Sequence, residues 1–373
     1  MIFSNFDPTD IVSGRIQPVS TGLWSDGNPE WSTFFTSSQQ VVSSASAFEP
    51  LNGLYYTDVY DADPSSSIDA DVYFSIAYGN YYGSGSSNFD EDKTQGSLLF
   101  PTQVIYNQYR NLLLTPGDQF FSFASTQNGN VQGITSSADI YVINFKGSKV
   151  KDRLDPGQFE ITLTGVGGVI SFLTLIDDSQ LNPSTGIETG GQYYNLIRGN
   201  LVSGSNAAYQ YEGIGAIYPS LGIIVLNPSV ISYYIGTVNG ISLDDPSPSN
   251  WGGDFARMST LLYKAISDGA AISPMRARVT EYVPAKHFFV RVKNQEYNYS
   301  NNPTFVITSE DNPINSQDIG KIRFADFYTD PKVYVTAVGL YDSNNNLVAV
   351  AKLSQPTLKS FENEILIRIK LDW

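Results

Sequence analysis

The sequence predicts a mainly β protein with a minor helical share. The expected architecture is two β-rich, sandwich- or barrel-like units, two or three packed helices and an extended N-terminal arm. Three observations lead there. The chain has 373 residues, and domains commonly run to roughly 100–200, so two packed units are the first expectation. Short runs rich in Val, Ile, Tyr and Phe recur along it, separated by Gly, Pro, Asn, Asp and Ser, as strands and turns should be. Few stretches carry helical periodicity.

Residues 1–50 are the arm. Asp7-Pro8, Gln17-Pro18, Asn28-Pro29 and Glu49-Pro50 punctuate it, and a residue before proline is held extended. The arm still holds Trp24, Trp31, Phe34 and Phe35. Large rings without a local core pack on something else. They lie either on their own domain or on a neighbouring subunit, and these four are the candidate inter-subunit contacts.

Residues 51–200 form the first β-rich domain. Segments 53–60 and 69–78 read as an antiparallel pair around the polar turn 61–67, and 80–94 as a loop. A helix is predicted near 102–114, opened by Pro101-Thr102 and closed by Thr115-Pro116-Gly117. Val104, Ile105, Tyr109, Leu112 and Leu113 fall near its apolar face. Strands follow at 120–123, 140–145, 159–163 and 171–176. The composition then shifts to Gly, Asn and Ser over 186–204, where a domain boundary is placed.

Residues 201–373 form the second β-rich domain. Segment 213–226 reads as buried. Asn227-Pro228 supplies a cap and a first-turn proline for a short helix ending near Gly236. A second strong helix is predicted near 254–268, with Asp254 as cap, Phe255, Met258, Leu262, Ala265 and Ile266 on one face, and Gly269 as the stop. The end of the chain is the most regular: a strand at 287–293, and a hairpin of 333–341 and 347–353 about 342–346. Ile365, Ile367, Ile369 and Leu371 then alternate with Leu366, Arg368, Lys370 and Asp372, the pattern of C-terminal antiparallel strands with one buried face. Residues 141–162 resemble 289–308 as two strand-loop-strand segments, which reflects either related β-units or chance.

Composition narrows the partners. Charged residues make up only 16%, against about 25% in an average domain, so fewer charges need desolvating when copies pack together. The formal charge is −15, with no basic stripe, which disfavours nucleic acid and anionic membranes. There is no cysteine, so disulfides and thiolate metal sites are excluded. Met1 to Asp10 lacks the basic and apolar regions of a secretory signal, and no run of about 18 apolar residues is present.

Candidate chemistry is sparse. Asp58, Asp61, Asp63, Asp69 and Asp71 could ligate calcium, but a loop starting at Asp61 has Ser66 where glycine is needed and Val72 where glutamate is needed. Asp177-Asp178 could be a glycosidase pair, yet neighbours on a strand point to opposite faces and at a turn they cap backbone groups. His287 is the one histidine, and no nucleophile elbow, zinc helix, phosphate loop or dinucleotide fingerprint accompanies it. The expectation is therefore a chain without an enzymatic role, with no catalytic, metal or cofactor-binding residues.

Several segments together resemble a known family. They are Phe3-Ser4-Asn5-Phe6-Asp7-Pro8, Asp10-Ile11-Val12-Ser13-Gly14-Arg15, Gly22-Leu23-Trp24-Ser25 and Phe74-Ser75-Ile76-Ala77-Tyr78-Gly79. Further on come Leu154-Asp155-Pro156-Gly157, Leu175-Ile176-Asp177-Asp178-Ser179, Phe289-Val290-Arg291-Val292-Lys293-Asn294, Asp330-Pro331-Lys332-Val333-Tyr334 and Gly339-Leu340-Tyr341-Asp342. Taken together the chain resembles virion structural proteins of contractile-tailed cyanophages and related marine myoviruses. The resemblance implies a particle component, of the tail or baseplate, assembled in the host cytoplasm. Its implied partners are other virion proteins and copies of itself, without nucleic acid, membrane or cofactor. The alternative is a receptor- or glycan-binding tail module.

Overall fold

In a computed structural model of the chain, the described residues are 5–14, 17–24, 27–37, 55–86, 100–127, 130–181, 186–201, 211–246, 257–300, 302–309 and 316–372. Strand dominates at 44% against 18% helix, in agreement with the predicted class. The chain divides into two compact units, Pro18–Glu281, and Met1–Gln17 with Tyr282–Trp373.

The larger unit is organised by one curled, eleven-stranded sheet. From edge to edge it runs Glu30–Trp31, Met275–Arg276, Glu160–Thr164, Phe172–Asp177, Gly191–Arg198, Gly215–Tyr218, Ile223–Leu226, Asp139–Phe145, Val72–Asn80 and Tyr56–Tyr60, with Gly186–Glu188 paired to the side. Its central strands are buried on both faces. Tyr141, Ile143 and Phe145 join one core while Ile140 and Val142 join another; Ile224 and Leu226 face the first, Ile223 and Val225 the second. A strand covered on both sides needs no polar face, which is why 139–145 and 213–226 read as continuous apolar runs. The second run is a hairpin, with Gly222 at φ 66° in its turn.

Helix Arg257–Ala270 fills the concave face. It packs against Glu160–Thr164 near one end of the sheet and against Tyr56–Tyr60 at the other. Thr57 Oγ1 meets Ser259 Oγ at 2.8 Å in the buried contact. Helix Pro101–Leu113 and the hairpin Phe121–Gln127/Asn130–Ser137 cover the other face through Tyr106, Leu113, Phe121 and Phe123. The Tyr106 hydroxyl donates to Ser137 O at 2.8 Å and accepts from Phe121 N at 3.0 Å, so a fully buried phenol is satisfied in both roles.

The smaller unit is a thin two-layer structure. One layer is Ile11–Ser13, Ala285–Val292 and Ile365–Asp372; the other is the hairpin Val333–Tyr341/Leu347–Lys359. Leu340, Val292, Ile365, Ile367 and Ile369 form its core. The predicted alternation over 365–371 and the predicted hairpin are both present, and Asp342 accepts Asn344 N and Asn346 N to fix the turn.

Four expectations are corrected. No unit boundary lies near residue 200, because Gly191–Arg198 and Gly215–Tyr218 are paired in one sheet. Nor is 1–50 a single arm: Ile11–Ser13 pairs with Ala285–Val292 in the smaller unit, while Leu23, Trp24 and Phe34 enter the core of the larger. The inward face of helix Pro101–Leu113 is Thr102, Tyr106 and Leu113, and Val104 and Leu112 are exposed. Gly79 decides this, since a Cβ there would stand 2.8 Å from Tyr106 N; only glycine lets that turn approach the sheet. Gly269 does not end its helix. It lies inside Arg257–Ala270, where a Cβ would fall 2.0 Å from Thr162 O. Asp254 and Phe255 lie outside the described residues.

The similarity of 141–162 to 289–308 is not reproduced. Glu160–Thr164 is a strand of the large sheet, whereas Pro303–Phe305 is a 3-10 turn.

Candidate functional site

The residues singled out from sequence are scattered and mostly structural. Trp24 and Phe34 are buried, with Trp24 edge-on to Tyr73 at 5.0 Å and to Phe34 at 5.9 Å. Phe34 packs edge-on to Phe74 at 5.6 Å. Trp31 and Phe35 are half-buried on the same unit. Trp24 and Phe34 therefore present no surface to a neighbour: the free energy of ring burial is already realised within the chain.

Of the aspartates of 58–71, Asp61, Asp63 and Asp71 serve local turns or ion pairs, and Asp58 accepts Ser75 Oγ from the neighbouring strand. Asp61 Oδ1 accepts Asp71 N, and Ser65 donates to Asp63, holding that carboxyl below its ordinary range. Asp71 pairs with Lys146 at 2.5 Å and Lys149 at 3.2 Å. Among the described residues no group of three or more acidic or histidine side chains could hold a metal ion.

Asp177 and Asp178 are buried and taken up by backbone. Asp177 accepts Gly157 N through both oxygens, at 2.8 and 2.9 Å, and Ser179 N at 3.2 Å. Burial pushes its carboxyl above the ordinary value, against those hydrogen bonds. Asp178 accepts Asn195 N at 2.9 Å. Two carboxylates in these roles fix strand ends and have no open face for a substrate. His287 lies on the three-stranded sheet of the smaller unit beside Arg368, whose Nε is 3.1 Å from its Nδ1.

The features that set a surface apart lie in the smaller unit. Its core is thin: five residues are buried, with 6–8% exposure, and Val335, Val338, Ala349, Ala351 and Leu353 pack against them while only partly buried. In the larger unit Tyr73, Ile143 and Leu175 are fully covered. Outside that thin core, Tyr334, Leu347, Val348, Val350 and Leu366 are more than half exposed.

Beside the hairpin lies an open groove of about 1180 Å³. Lys332 and strand residues Val333 to Ala337 form one wall, and Tyr297, Tyr299, Phe305, Phe324 and Phe327 line much of the rest. Phe305 organises the rings, edge-on to Tyr299 at 5.5 Å and to Phe327 at 4.5 Å. The charged lining is Asp326, Asp330 and Lys332, and Lys332 is paired with Asp330 at 2.5 Å. Lys359, fully covered, ties the 294–298 turn to the hairpin by donating to Asn294 O, Asn298 Oδ1 and Ser360 O at 2.7–2.9 Å. Burial lowers its ammonium below the ordinary value.

Charge is divided unevenly between the units. Residues 18–281 hold 25 of the 37 acidic residues and 11 of the 22 basic ones, a formal charge of −14. The other unit holds 12 acidic and 11 basic residues, a charge of −1.

Sequence reasoning found the hairpin but missed its surface. One signal was legible: Val333–Tyr341 is nine residues of high strand propensity with no charge and no proline. No protein-family model, curated protein or solved structure matches the chain.

Proposed function

We propose that this chain is a non-enzymatic structural component of a contractile-tailed phage particle, at its tail or baseplate, acting through protein–protein packing. The observation that carries the packing role is the smaller unit, a nearly neutral two-layer structure with a thin core, whose outer strands expose Tyr334, Val348 and Val350. Exposed apolar area of this kind marks association surfaces. The likeness of the sequence to virion proteins supplies the particle. The test is cryo-electron microscopy of intact particles with mass-spectrometric identification of their chains. The expected result is density for this fold in several symmetric copies, with the smaller unit against a neighbour. Purified particles that lack the chain would refute the proposal.

A second reading, recognition of a host glycan, is favoured by the groove of exposed rings. Tyr299, Phe324 and Tyr334 form a concave aromatic surface with acceptors at Asp326 and Asp330. Retention of the isolated protein on a neutral glycan array, lost in Phe324→Ala and Tyr334→Ala, would support it. Binding to none of the glycans would leave only the packing role.

A further inference from the structure

We propose that the open edge of Val333–Tyr341 pairs antiparallel with the same edge of a second copy of the chain. Two hairpins then become one four-stranded sheet across a twofold axis. This rests on the assembly reading above and names the partner.

An edge strand presents a row of unpaired N–H and C=O groups that template another strand, and proteins ordinarily blunt it with lysine, proline or charge. Among the described residues Val333–Tyr341 pairs only with Leu347–Lys359. Its sequence, VYVTAVGLY, carries none of those protections. The other strand of the hairpin carries Lys352 and Pro356. The two edges of one hairpin are thus treated differently, one blocked and one left available. An unprotected strand of this composition is an aggregation hazard unless a specific partner covers it.

The partner follows from charge and symmetry. A twofold contact sets the same patch against itself, so a patch dominated by one sign of charge would repel its copy. Val333–Tyr341 has no charge, and the unit that bears it has a formal charge of only −1. A self-contact through the larger unit would bring together surfaces of a body carrying −14. The groove lies along Lys332 to Ala337, leaving room for an incoming strand, and Phe324 and Tyr334 would be covered by it.

The test is sedimentation velocity of the full chain over a wide concentration range, with Thr336→Lys, Ala337→Lys and, on the other strand, Ser354→Lys. Thr336 lies at the register shift between Val335 and Ala337 and has no cross-strand partner, so replacing it leaves the hairpin pairing in place. The expected result is a dimer whose dissociation constant rises about tenfold or more in Thr336→Lys and Ala337→Lys, because the twofold brings the added lysines of both copies into one short ladder where like charges repel. Ser354→Lys leaves the dimer intact. If the lysine variants fail to fold, amide exchange of 333–341 in the unaltered protein decides: protection that grows with concentration supports the pairing, and protection that does not overturns it. A protein that is monomeric throughout, or a dimer indifferent to both lysines, overturns the inference. Cross-linking of the chain to other proteins in the particle would then show the assembly reading surviving without it.

Discussion

Replacing Trp24 by Ala asks whether the aromatic N-terminal segment belongs to its own chain or to a neighbour. Trp24 is 2% exposed, edge-on to Tyr73 and Phe34, tilted against Trp31 at 6.1 Å, and its Nε1 donates to Pro29 O at 3.2 Å. Removing a buried tryptophan typically costs about 3–5 kcal/mol, and the rings here interlock, so collapse around the cavity is restricted. A change of 1 kcal/mol moves the midpoint by about 2–4 °C in a domain of this size, which places the expected fall in Tm at roughly 6–20 °C. The assay is thermal unfolding followed by near-UV circular dichroism, at two protein concentrations at least tenfold apart. A residue packed in its own core lowers Tm equally at both. A residue docked on a neighbour leaves dilute protein unchanged and shows its loss only where subunits associate. An unchanged midpoint in dilute Trp24→Ala would refute the placement of this segment in the core.

Three further outcomes are expected. Leu113→Ala should cost about 2–5 kcal/mol in chemical denaturation while Leu112→Ala costs less than about 0.5, because only Leu113 is buried; equal losses would mean the helix face is misassigned. Gly269→Ala should destabilise by about 3 kcal/mol or more, since its Cβ would fall 2.0 Å from Thr162 O and the helix would have to lift from the strand; a neutral substitution would contradict the close approach. Asp139→Asn should stabilise at neutral pH. Burial, with Asp244 nearby, pushes the Asp139 carboxyl from 3.8 to about 6, so the folded chain holds an extra proton between those values and loses stability as pH rises through them. The gap corresponds to at most about 3 kcal/mol above pH 6. The Asn variant should therefore melt higher at pH 7.5 and match the unaltered protein at pH 4, and a gain independent of pH would refute the ionisation argument.

The sequence by itself determined the local elements. The helix Pro228–Ile235 begins at Asn227-Pro228 and ends at Gly236, which takes φ 76°. Asn227 nonetheless makes no side-chain cap there; its Oδ1 accepts from Ser137 Oγ instead. The alternation at Ile365, Ile367 and Ile369 placed a half-buried strand because a side-chain period of two is written in a few adjacent residues. The turn Asp342–Asn346 was legible for the same reason: Asp and Asn bond their own neighbouring backbone. What only the tertiary structure decided are relations between distant segments. Ile11–Ser13 pairs with Ala285–Val292, and nothing in either stretch names the other, because backbone hydrogen bonds are the same for every sequence. The inward side of Pro101–Leu113 depends on Gly79 in another strand, and the roles of Asp177 and Asp178 depend on Gly157 and Asn195. The edge position of Val333–Tyr341, which among the described residues pairs only with Leu347–Lys359, belongs to the same class. Its composition was visible, but a strand becomes an edge only when the rest of the sheet leaves one side of it unpaired.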